Sequence, residues 1–217
     1  MNLAIFDLDN TLIAGDSDHA WGEFLCEKGL VDTNAYRQGN DYFYEQYKQG
    51  TLDIYEFLEF ALKPLSEHSL SSLNGLHNEF MQEKVLPMML PKAKELLDNH
   101  RAQGDFLLII TATNRFVTGP IAEALGVDDI IATEPEKLNG AYTGKVEGTP
   151  CFPSGNVQRL NAWLENNDYS LEGSYFYSDS QNDLPLLELV SHPIAVNPDE
   201  TLETIANEHL WPVLDLR

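Results

Sequence analysis

Asp7 and Asp9 stand two residues apart, directly after the apolar run Leu3-Ala4-Ile5-Phe6. Asp179 and Asp183 stand four apart, just after Tyr175-Phe176-Tyr177-Ser178, and Thr111 closes the run Phe106-Leu107-Leu108-Ile109-Ile110. If folding gathers these groups, the carboxylates repel one another and their pKa values rise unless a cation joins them. A hard divalent ion with oxygen ligands is the natural partner. Mg²⁺ is typically held by one or two carboxylates, with substrate phosphate and water completing its shell. Beside it, one carboxylate stays ionised as a nucleophile toward phosphorus. A second serves as general acid and base. The Thr111 hydroxyl and the N–H of Ala112 after it are suited to holding phosphoryl oxygens.

Whether these residues meet depends on the elements that carry them. Leu3–Phe6 and Phe106–Ile110 read as strands buried on both faces, as do the shorter runs 130–132, 175–177 and 193–196. Helices are expected between them: from Pro91 to His100 with Gly104 as breaker, 118–125 ended by Gly126, 155–165, 184–189, and about 199–207. Asn139-Gly140 between strand-like flanks marks a hairpin. Five short strands alternating with helices imply an α/β fold, a three-layer Rossmann-like parallel sheet. In such a sheet ligands bind beyond the carboxyl ends of the strands, where all three polar clusters fall.

The stretch from about Asp16 to Leu86 has a different texture. Asp18, Thr33 and Thr51 or Asp53 are candidate caps of successive helices. Ile54, Phe57, Leu58 and Ala61 recur at helical spacing, and Pro64 is expected to end their helix. The predicted organisation is therefore a core of residues 1–15 and 87–217, with a helical cap of residues 16–86 inserted after strand one. The aromatic residues Trp21, Phe24, Tyr44 and Phe57 read as packing within that cap. His19 reads as a surface or hinge residue at the cap entrance, and Arg37 as a helix-surface residue.

The motifs taken together resemble those of the haloacid dehalogenase superfamily of phosphatases. Asp7, Asp9 and Thr11 match its Asp-x-Asp-x-Thr, Thr111 its second motif, and Asp179 and Asp183 its Asp-x-x-x-Asp. The insertion matches the family's C1 cap. The likeness spans essentially the whole chain and is greatest to the phosphoserine-phosphatase-like branch, including bacterial relatives described as phosphoserine or histidinol-phosphate phosphatases. It implies Mg²⁺ as cofactor, with Asp7 as nucleophile and metal ligand. Asp9 is implied as acid and base, its main-chain carbonyl also ligating. Asp179 is implied as a direct ligand, and Asp183 as holding a water of the ion or orienting its neighbours. Thr111 and Ala112 are implied to bind the phosphoryl group, with Asn182 assisting. The implied partner is a small phosphorylated metabolite, with phosphoserine and histidinol phosphate as candidates. A phosphotransferase using the same aspartyl-phosphate, or a weakly active phosphate-binding protein, remains an alternative.

One position departs from the pattern. Where the family carries a lysine, this chain reads Cys151-Phe152-Pro153-Ser154-Gly155-Asn156. Asn156 donates a hydrogen bond without a charge, so transition-state stabilisation should weaken unless Arg159 or Lys145 substitutes.

Composition narrows the alternatives. The chain has 217 residues, and 13 Lys+Arg against 35 Asp+Glu give a formal net charge of −22. Phosphate backbones and anionic membrane surfaces call for a basic footprint, so neither nucleic acid nor membrane is an expected partner. Two cysteines without metal spacing fit a reducing compartment. The acidic N-terminus lacks a signal-peptide pattern. The expectation is a cytoplasmic enzyme, with no oligomeric state implied.

Overall fold

The structure, a computed structural model, describes residues 2–217 apart from the side chains of Pro153 and Ser154. Its centre is a seven-stranded sheet. In chain order the strands are β1 (Leu3–Phe6), β2 (Phe106–Asn114), β3 (Asp129–Leu138), β4 (Ala141–Glu147), β5 (Tyr175–Ser178), β6 (His192–Val196) and β7 (Val213–Leu214). Their spatial order is β4-β3-β2-β1-β5-β6-β7, and every pairing is parallel except the β3–β4 hairpin. The five expected strands are all present. The extra two are the hairpin partner β4 and the two-residue edge strand β7, which is too short to show periodicity. β1 lies at the switch point, with β2 on one side and β5 on the other, so a crevice opens beyond its carboxyl end.

Alternation along β1 assigns the two faces. Leu3 and Ile5 join Leu108, Ile110, Phe176 and Leu160 in one buried cluster. Ala4 and Phe6 join Leu107, Ile109 and Tyr177 in the other. Successive side chains on a strand point to opposite faces, so a β1 covered by helices on both sides must be apolar throughout.

Helices α1 (Ser17–Glu27), α2 (Thr33–Lys48), α3 (Ile54–Ser66) and α4 (Leu70–Phe80) follow β1. Their N-caps are Asp16, Asp32, Asp53 and Ser69, each accepting a backbone N–H of the first turn. The caps expected at Asp18 and Thr33 thus fall one or two residues late. The true caps have extended backbone, which places their side-chain oxygens to accept those N–H groups. Pro64 does not end α3. The helix runs on to Ser66 with Pro64 buried, because a proline this near the C-terminus removes one bond while the turn keeps its packing. α4 passes through a π-helical turn, Met81–Val85, into the short α5 (Leu86–Met88). These helices share one apolar cluster with the sheet: Trp21, Phe24, Leu58, Leu62 and Phe80 are buried with Phe6 and Ile109.

The remaining helices are α6 (Pro91–Gln103), α7 (Arg115–Leu125), α8 (Pro153–Asn167), α9 (Leu184–Leu187) and α10 (Glu200–His209). Gly104 and Gly126 end α6 and α7 in the left-handed conformation. Asn139 and Gly140 both have positive φ, 52° and 80°, as a two-residue hairpin with matching twist needs.

Candidate active site

The carboxyl ends of β1, β2 and β5 meet as the sheet order requires. Asp7 follows β1, and its N–H donates to the Tyr177 carbonyl on β5 (2.9 Å), extending the ladder one residue into the crevice. Thr11 ties the two strand ends together. Its hydroxyl donates to Asp7 Oδ2 (2.8 Å) and accepts the Asp179 N–H (3.1 Å). The same hydroxyl lies 3.4 Å from Asp179 Oδ1. Thr11 thereby holds carboxylates 172 positions apart in sequence around one oxygen.

Asp9 has its own clamp. Ser17 N–H, at the start of α1, donates to Asp9 Oδ1 (2.6 Å), and the Thr113 hydroxyl donates to Oδ2 (2.8 Å). Thr111 is buried at the end of β2, its hydroxyl accepting the Thr113 N–H (3.2 Å). Asp183 takes the Ser178 hydroxyl on Oδ2 (2.7 Å) and the Asn156 amide on Oδ1 (3.3 Å).

The electrostatics follow from burying acids together. Burial, then Asp183, Asp179 and Asp9, push Asp7 well above the carboxylate range. Burial and Asp183 do the same to Asp179. Burial and Asp16 bring Asp9 up to about 7, and burial raises Asp183 to about 6. Such a set is poorly balanced without a cation, and its donors are all oxygen, which fits Mg²⁺. Among the described residues no three His, Cys, Asp or Glu side chains close around one point as a complete metal cage.

Asp7, Asp9, Thr111, Ala112 and Thr113 line one cavity beneath the inserted helices. Its other wall carries Asp16, Asp18, Asn40 and His19, with Phe43, Tyr44, Tyr47, Leu52, Ile54 and Phe57. Tyr44 and Phe57 therefore line the cavity, Phe57 while also packing against the core, whereas Trp21 and Phe24 are buried within it. His19 also faces the cavity, its ring tilted against Tyr44 and its Nε2 3.0 Å from Asp41. Burial pushes Asp18 well above the carboxylate range, reinforced by Asp16 and Asp9, and burial raises Asp16 as well.

Other candidates lie elsewhere. Asn182 turns to the inserted helices, its amide donating to the Tyr47 carbonyl (3.3 Å). Arg159 does not stand in for the absent lysine: its guanidinium donates to the Thr149 carbonyl and lies 3.7 Å from Glu134. Lys145 lies on the hairpin in a groove with Tyr55 and Leu58. Arg37 pairs with Glu23 at the surface. Thr113 and Ser178 escaped the sequence reading. Thr113 had a signal in its spacing, two residues beyond Thr111 on the same strand face.

The family model of the haloacid dehalogenase-like hydrolases matches residues 4–188. A protein named histidinol-phosphatase from Neisseria meningitidis is 48% identical, over 100% of this chain and 99% of its own. A solved Bordetella pertussis protein described as of unknown function superposes with a TM-score of 0.93 at 46% identity, covering 100% of this chain and 99% of that one. A substrate-bound phosphoserine phosphatase superposes at 0.73 with 16% identity, covering 98% and 92%, a likeness of fold alone. The chain belongs to the haloacid dehalogenase-like hydrolase family. Within it, the chain is a phosphatase. No helix among the described residues is long and apolar enough to cross a membrane.

Proposed function

We propose that the protein hydrolyses a small phosphomonoester through an aspartyl-phosphate on Asp7. The observation that carries this reading is the convergence of Asp7, Asp9 and Thr111 on one cavity, with Thr11 tying Asp7 to Asp179. An Asp7 oxygen attacks phosphorus in line, and the bond to the ester oxygen breaks. Asp9 gives its proton to the departing alkoxide. Asp9, now a carboxylate, takes a proton from water as that water attacks phosphorus. The bond to Asp7 breaks, releasing orthophosphate and restoring both acids. Thr111 and the Ala112 N–H hold phosphoryl oxygens throughout. Asp7 and Asp179, with the Asp9 carbonyl and Asp183 behind them, would hold Mg²⁺, which neutralises the developing charge.

The cavity lining favours one of the two candidate substrates. Asp16 and Asp18 face it, aromatic residues make up much of the opposite wall, and no Arg or Lys lies among the lining residues. An ammonium there favours the ionised form of these raised carboxyls and is attracted by it, whereas a substrate carboxylate opposes it. An amino-alcohol phosphate with a planar arm, such as histidinol phosphate, fits better than phosphoserine. The Neisseria relative's name supports the same choice. The cavity between the acids and the inserted helices is about 50 Å³.

Phosphate release from histidinol phosphate, phosphoserine and other phosphomonoesters, with and without Mg²⁺, tests the reading. Release should need Mg²⁺, favour histidinol phosphate over phosphoserine in kcat/KM, and vanish in Asp7→Asn. No release from any ester, or equal release by the variant, overturns the mechanism. A preference for phosphoserine overturns the substrate choice alone.

A further inference from the structure

Thr113 is buried at the end of β2, 7% exposed, and its hydroxyl differs from those of the next threonines along the chain. Threonine hydroxyls commonly bond nearby backbone. Thr118 bonds the Asn114 carbonyl, and Thr133 bonds the Ala112 carbonyl on the adjacent strand. Thr113 instead reaches a side chain 104 positions away, donating to Asp9 Oδ2 at 2.8 Å. The local backbone makes this possible. The β2–β3 register shifts between Ile110 and Asn114, and the Thr113 N–H is taken up by Thr111 rather than by a plain ladder.

The two oxygens of Asp9 have different partners. Oδ1 takes the Ser17 N–H, a group that only donates, and Oδ2 takes the Thr113 hydroxyl, which can donate or accept. Ser17 N–H alone leaves the carboxyl free to turn about that bond. The second bond, from another strand, fixes its plane. A group that must deliver a proton to a departing oxygen gains from such fixing, since small misplacements cost orders of magnitude in rate.

We infer that Thr113 is a positioning residue for the phosphatase reaction, holding the Asp9 carboxyl in the plane from which it protonates the leaving oxygen. The inference rests on the reading of Asp9 as general acid. It predicts an effect that scales with the need for that acid: large for alkyl phosphates with poor leaving groups, small for p-nitrophenyl phosphate.

The test is the dependence of kcat/KM on leaving-group pKa over a series of aryl and alkyl phosphates. Wild type, Thr113→Val, Thr113→Ser and Asp9→Asn are compared at saturating Mg²⁺. In Thr113→Val, kcat/KM for an alkyl phosphate should fall by about tenfold to a hundredfold, against about threefold or less for p-nitrophenyl phosphate. Thr113→Ser should keep the wild-type dependence, a rescue that needs the hydroxyl and not merely the packing. If Thr113→Val does not fold, Thr113→Ala removes the same hydroxyl. If Asp9→Asn steepens the dependence and loss of the Thr113 hydroxyl leaves it unchanged, the inference is overturned and the acid role stands. If Asp9→Asn itself leaves the dependence unchanged, the acid role fails and the inference falls with it.

Discussion

The Asn156 amide lies 3.3 Å from Asp183 Oδ1, and the amide oxygen on the other side of the same group is buried without a partner among the described residues. The donor is committed to a carboxylate, so the amide cannot turn to satisfy its oxygen. Where the resemblance leads one to expect a lysine, Asn156 supplies one neutral hydrogen bond, and no Lys or Arg among the described residues bonds the gathered acids. The site depends all the more on what binds there.

A charge restored at this position should therefore matter more than one nearby. Asn156→Lys places an ammonium against Asp183 and should raise kcat/KM by about tenfold, since a preorganised charge near the transferring group stabilises the transition state. Arg159→Ala should leave turnover within about twofold, because that guanidinium is held by Thr149 and Glu134. Steady-state kinetics on both variants check this. A large loss in Arg159→Ala would contradict the geometry.

Gly155 sets where Asn156 stands. A Cβ there would lie 2.1 Å from the Pro150 carbonyl oxygen, a backbone atom that a side-chain rotation cannot relieve. Gly155→Ala must push the start of α8 away from residue 150 and carry Asn156 with it. We expect a loss of roughly 2 kcal/mol or more in urea unfolding, together with reduced kcat. An Ala variant of wild-type stability would show that the segment yields easily.

Metal dependence should be complete. Chelation by EDTA should abolish phosphate release, and excess Mg²⁺ should restore it, because burial raises Asp7, Asp9, Asp179 and Asp183 and neighbouring carboxylates push Asp7, Asp9 and Asp179 further. Mg²⁺ should also raise the thermal midpoint by relieving that repulsion. Unchanged activity in EDTA would refute this.

His77 offers a stability probe far from the acids. Its ring is buried between Trp21 and Phe116, with Nε2 donating to the Val117 carbonyl (2.9 Å). Burial lowers its pKa below the ordinary 6.5. The unfolded chain therefore binds a proton at higher pH than the folded one, and stability falls as pH drops below about 6.5. His77→Gln keeps an N–H donor but does not titrate. Wild type should lose more unfolding free energy between pH 7.5 and 5 than this variant does. Equal losses would show that His77 is not held neutral.

Much of this molecule was legible in the order of its residues. β2 runs past Thr111 to Asn114, but the ends of β1 and β5 at Asp7 and Asp179 could be read because a strand buried on both faces must be apolar throughout. The first polar residue then marks where it leaves the sheet. Candidate caps placed the starts of α1 and α2 to within two residues, apolar spacing placed α3, and the glycines ending α6 and α7 supplied the conformation that few other residues adopt. What escaped were features that depend on residues distant in sequence. Pro64 reads as a stop, but burial keeps its helix whole. Tyr44 and Phe57 have the same spacing whether they pack inward or line a cavity. Thr113 and Ser178 are ordinary strand-end residues until the sheet order brings Asp9 and Asp183 to their hydroxyls. Local sequence determines which groups are polar and where each strand stops, because those are properties of short stretches of chain. Which oxygen meets which donor, and that Asn156 faces Asp183 while Arg159 turns away, was decided only by tertiary structure. A hydrogen bond of about 3 Å depends on the relative placement of elements separated by tens to hundreds of residues.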